Sequence, residues 1–165
     1  MALYVLTNFV FGCAATGSHR EISPTTTKLS NYKTILVNVS SNIPDSSLVT
    51  TKLGSMIVAE LEEKKLFDDI FLAQFTPNSE AELSLNVTIL DIRYVSSTAR
   101  GWVGGLAGQA GVSTIAEIVN LKSNTTISKF EVVGKSSGGT MFSGNTKQAI
   151  EYTAKEISEF IYDNM

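Results

Sequence analysis

Hydrophobic positions change rhythm several times along this chain, and each change marks an element. Residues 32–41 (YKTILVNVSS) alternate, with Ile35, Val37 and Val39 on one side and Leu36 added, which reads as a well-buried strand. Asn42-Ile43-Pro44-Asp45 ends it, because proline lacks a backbone donor and restricts the residue before it. The period then becomes helical. Ser46 or Ser47 can cap a helix to about Leu66, with Leu53, Met56, Ile57 and Leu61 on one stripe and Glu60, Glu62, Lys64 and Lys65 on the wet side. Gly54 within that helix costs about 1 kcal/mol in propensity relative to Ala, which close approach to a sheet would justify. Residues 69–75 read as a second strand. Residues 81–95 read as a long third one, with Leu83, Leu85, Val87 and Ile89 facing one way. Residues 112–122 and 127–135 form a hairpin through Ser123-Asn124-Thr125-Thr126. A second helix over 146–162 sets Ile150, Ala154, Ile157 and Ile161 at helical spacing.

The order β-α-β-β-β-β-α predicts an α+β fold: one mixed or antiparallel sheet of about five strands with two helices packed on one face. The 165 residues suit one domain, usually about 100–150 residues, plus appendages. The domain is expected over residues 32–165.

What precedes it has two parts. Residues 2–11 (ALYVLTNFVF) are almost continuously apolar, too short for a bilayer span of about twenty residues but suited to the hydrophobic core of a secretory signal. The run ends in Val10-Phe11-Gly12-Cys13, which resembles the lipobox of bacterial lipoproteins. Val10 and Gly12 match its aliphatic and small positions, whereas Phe11 matches poorly and no Lys or Arg stands near Met1. The resemblance implies cleavage after residue 12 and a lipid anchor on Cys13. Residues 14–31, rich in Ser, Thr, Gly and Pro, carry almost no large apolar side chain, so residues 13–31 are expected to be a lipidated flexible tether. Ala14 is not the Asp that retains many such lipoproteins in the inner membrane. The resemblance therefore implies an outer-membrane protein facing the periplasm. The alternative is a buried strand over 2–11 and an inert thiol at Cys13.

Residues 100–111 (RGWVGGLAGQAG) interrupt two strands where a hairpin needs only a few residues. A dinucleotide loop should open a helix within a βαβ unit, and here a strand follows instead. The candidate interaction segment is Arg100, Gly101, Trp102, Val103, Gly104, Gly105, Leu106 and Gly108. Small residues four apart, such as Gly104 and Gly108, permit close packing. Trp102 could meet lipid, a neighbouring subunit or the domain's own underside. The arginine, the alternating glycines, the flanking strands and the terminal helix resemble the bacterial lipoproteins grouped as domain of unknown function 4410. The hairpin departs from that pattern, having residues 122–126 where the family tends to carry an Asp and a Gly. More distantly, the element order is similar to TolB amino-terminal, CsgG and LpoB-type periplasmic domains, which act by binding other proteins.

Charge and chemistry narrow the function. A net charge of −3 with interleaved signs gives no basic patch for nucleic acid. One cysteine and one histidine, His19, exclude an intramolecular disulfide and speak against a Cys/His metal site. Asp91 and Arg93 suit an ion pair better than a catalytic dyad, and a polar cluster of Asp91, Arg93 and Glu117 in a cleft is what an enzyme would need. The chain is thus expected to be a non-enzymatic envelope lipoprotein without cofactor or metal, binding another envelope protein or itself. The alternative is a carrier of small apolar ligands beneath the glycine-rich segment.

Overall fold

The computed structural model describes residues 14–75, 80–94, 109–137 and 145–165. The alternating segments form β2 (Thr34–Ser41), β3 (Asp69–Leu72), β4 (Leu83–Arg93), β5 (Gly111–Asn120) and β6 (Thr125–Lys135), and the helical ones α1 (Ser47–Glu63) and α2 (Thr146–Asp163). An additional strand, β1 (Thr16–Ser23), makes the sheet six-stranded in the order β1-β6-β5-β4-β2-β3. β2 runs parallel to β3 and β4, while the other pairings are antiparallel. The sheet is therefore mixed, with one strand more than the periodicity predicts.

Both helices lie on one face and pack against each other, α1 over β2 and β3, α2 over β1, β5 and β6. The alternation puts Val37, Leu85, Val87, Ala116, Ile118, Phe130 and Val132 beneath them, fully buried with Leu53, Ile57, Ile157 and Ile161. Phe130 and Phe160 stack with ring centroids 3.7 Å apart. Gly54 has the sheet contact its position requires: a Cβ there would stand 3.0 Å from Leu72 and 3.4 Å from Val39. At Gly134 a Cβ would run into the Ala149 carbonyl and Thr153, so glycine lets α2 settle directly on β6. Ser46 precedes α1, yet its hydroxyl donates to the Ile43 carbonyl at 2.6 Å instead of capping the helix. Asn145 does cap α2, its side chain accepting from the Gln148 N–H at 3.1 Å. The hairpin turn uses Asn124 in the left-handed region, with φ 52°.

The expected tether is corrected in part. Residues 16–23 are an edge strand with backbone paired to β6 along its length, with one irregularity near Ser23. This strand buries almost nothing, which is why hydrophobic pattern misses it. Side chains fix it instead: His19 Nδ1 meets Glu156 at 3.1 Å, with its ring edge-on to Phe160, and Arg20 meets Glu131 at 2.6 Å. The following segment is tied down as well. Thr26 N–H donates to the Ile127 carbonyl and Leu29 N–H to the Asn164 carbonyl, both at 3.0 Å, and Leu29 is wholly buried in a 3-10 turn. Order thus begins before residue 32. Among the described residues no helix is long and apolar enough to cross a membrane.

Candidate functional site

Four strands end side by side at one pole of the sheet. Thr16 pairs with Lys135, Lys135 with Gly111, and Gly111 with Arg93. A bulge in β4 decides which side chains show there. From Leu83 to Ile89 the odd positions face the helices, but the register shifts between Ile89 and Asp91, so that Leu90 is the extra residue. The shift buries Ile92 and turns Asp91 and Arg93 onto the face away from α1 and α2. Without it, strict alternation would drive both charges into the core. A cleft of about 120 Å³ results, lined by Asp91, Arg93, Gln109, Ser113, Val133 and Lys135. Its floor is rigid. The Ala110 N–H donates to the Ser136 hydroxyl at 3.0 Å, and the Ser136 N–H returns a bond to the Ala110 carbonyl at 2.9 Å. Ser137 then bonds Gln148 of α2 through both its N–H and its hydroxyl.

One carboxylate, two cations and a hydroxyl suit recognition of charge, since neither histidine nor thiol lines this cleft. Asp91 and Arg93 share the cleft but do not form one of the ion pairs between described residues. Glu117 is not brought to them. It lies opposite Asn86, four positions along β5 from Ser113, about 13 Å away at strand rise. There it accepts from the Thr126 hydroxyl at 2.7 Å. Among the described residues no cluster of three or more His, Cys, Asp or Glu could hold a metal. Cys13 and the candidate segment Arg100, Gly101, Trp102, Val103, Gly104, Gly105, Leu106 and Gly108 lie outside the described residues. Their flanks are placed, however: Tyr94, Gln109 and Thr16 all stand at this pole.

A second opening, about 460 Å³, lies between the helices and is lined by Met56, Ala59, Glu60, Glu151, Tyr152 and Lys155. At the opposite pole Lys64 joins the two helices through Glu159 at 3.0 Å. That hydrogen bond raises the Lys64 pKa above its ordinary value, against a smaller opposing effect of burial. The bulge and the edge strand are the features that sequence reasoning missed here. The bulge had one signal, the change from odd to even apolar positions between Ile89 and Ile92.

A family model described as a domain of unknown function, DUF4410, matches residues 21–140. No protein among the curated ones matches the sequence. Two crystal structures of a PelC dodecamer from Paraburkholderia phytofirmans align with 87% of this chain and with 95% and 96% of theirs, at TM-scores of 0.58 and 0.57 and 17% identity. Protein XCC0632 from Xanthomonas campestris, of the DUF330 family, aligns over 88% of both chains at a TM-score of 0.54 and 8% identity. These likenesses are of fold.

Proposed function

The chain belongs to the DUF4410 family, and on that premise we propose that it is a non-enzymatic envelope lipoprotein, anchored through Cys13, whose domain self-associates in the periplasm. The observation that carries this reading is the second face of the sheet. Among the described residues, helices cover the six strands on one side only. On the other, Leu36, Ile115, Val119 and Val133 alternate with buried neighbours and are themselves only partly exposed. Between them lie neutral polar residues, Asn38 bonded to Asn86 and Ser40 to Thr88, both at 3.4 Å. Charged side chains share this face: Glu117 on β5 stands opposite Lys129 of β6 and Glu131 opposite Ile115, while Arg93 and Lys135 lie at one end. Partly exposed apolar residues interspersed with polar and charged ones suit the mixed composition of a protein interface. The dodecameric state of the PelC structures supports association of the same fold with copies of itself.

Light scattering on the purified full chain tests this. A discrete homo-oligomer is expected, and Ile115→Asp should convert it to a folded monomer by setting an unpaired charge opposite Glu131 in the middle of the face. A wild-type protein that stays monomeric at every concentration overturns the reading.

A further inference from the structure

With Thr16 already in the sheet, only Ala14 and Ala15 separate Cys13 from the folded domain. Three residues reach at most about 11 Å even when fully extended. The polar layer on each side of a bilayer is itself on the order of 6 Å thick. A domain hung from so short a link has no room to stand off.

Resting on the lipid anchor proposed above, we propose that the pole formed by Thr16, Lys135, Gly111 and Arg93 lies flat on an anionic lipid surface, with Arg93 and Lys135 against headgroup phosphates. The link pins the β1 end of this row. Pairing then carries the row across four strands, about 14 Å at ordinary strand spacing, to Arg93. Arg93 and Lys135 are exposed there beside the single carboxylate of Asp91, so the cleft keeps a net positive charge, and long basic side chains can extend their heads to phosphate while their stems stay on the protein. Tyr94, next to Arg93 and 58% exposed, is of the residue type that collects at membrane interfaces. Both helices also begin at this pole, α1 after the end of β2 and α2 after the end of β6, so the positive ends of their dipoles point the same way. The opposite pole carries Lys33, Lys64, Lys65 and Lys122 as well as Asp68, Asp69 and Glu82, so it is the short link that chooses between the two ends. The bulge at Leu90 has a purpose in this picture, since it brings Arg93 to the open side of the pole.

The test uses the full acylated chain in vesicles of phosphatidylethanolamine and phosphatidylglycerol, labelled with a fluorophore at Tyr94→Cys or, at the far end, Ser123→Cys. Brominated lipids should quench the Tyr94 label several-fold more than the Ser123 label, and Arg93→Glu with Lys135→Glu should remove most of that difference. Protein that floats with the vesicles while neither label is quenched, or while the Ser123 label is quenched more, overturns the orientation and leaves the anchor standing. Protein that carries no acyl mass and does not float overturns the anchor, and the orientation with it.

Discussion

Two glycines at the same end of the sheet separate what a residue type does from where it sits. At Gly134 the obstacle to a side chain is the Ala149 carbonyl together with Thr153, parts of a helix that cannot retreat without lifting off β6. Gly134→Ala is therefore expected to cost about 1–3 kcal/mol as overpacking, read as a lower urea midpoint at unchanged slope. Gly111 is different, because a Cβ there would meet only the Gly134 carbonyl at 3.8 Å and Arg93 at 3.9 Å, ordinary contact distances. Gly111→Ala should leave stability within about 0.5 kcal/mol. Lys64 offers a pH test. Its raised pKa means that the bond to Glu159 contributes stability that is present below the unfolded value near 10.5 and is lost as pH rises through the folded value. Lys64→Met should lower the melting temperature near neutrality, and the gap from wild type should close in alkaline solution. Gly54 shows how far single residues were legible: its helical context called for a close sheet, and Leu72 and Val39 supply one. Arg93 could not be placed in this way, because its facing depends on a bulge that two-residue periodicity does not contain.

Among the elements, those that bury a stripe were readable and the one that does not was not. β4, β5, β6 and both helices show their core faces as apolar residues at period two or at helical spacing, so sequence and structure agree on them to within a few residues. β1 has TGSHREIS, in which only backbone pairing and two polar contacts supply order. The clue lay downstream in Leu29, which with the exposed Ile22 is one of two large apolar residues in a polar run, and whose complete burial secures the segment that follows the strand. If His19 and Glu156 hold β1 against α2, Glu156→Gln should weaken an interaction worth at most about 1 kcal/mol for a partly exposed pair. Amide exchange should then quicken over residues 16–23 and stay unchanged in β4 and β5. Equal protection of β1 in the variant would assign its order to the backbone pairing alone.

At the scale of the molecule, the described residues form an amphipathic sheet with helices on one side, and on the other Leu36, Ile115, Val119 and Val133 lie among neutral and charged polar residues. In the proposed reading self-association would cover that face, and the short link from Cys13 would set which end of the sheet looks at the membrane. The fold class followed from the order of elements, since β-α-β-β-β-β-α requires a mixed or antiparallel sheet with its helices on one side. The strand at the edge orders a segment expected to be a flexible tether, and on the proposed reading that bears on function more than any residue in the cleft. Native mass spectrometry of the full chain, extracted from envelopes in mild detergent, reads anchor and assembly together. The predicted result is a polypeptide starting at an acylated Cys13 and present as a homo-oligomer of defined size; a monomer with an unmodified Cys13 would contradict the account.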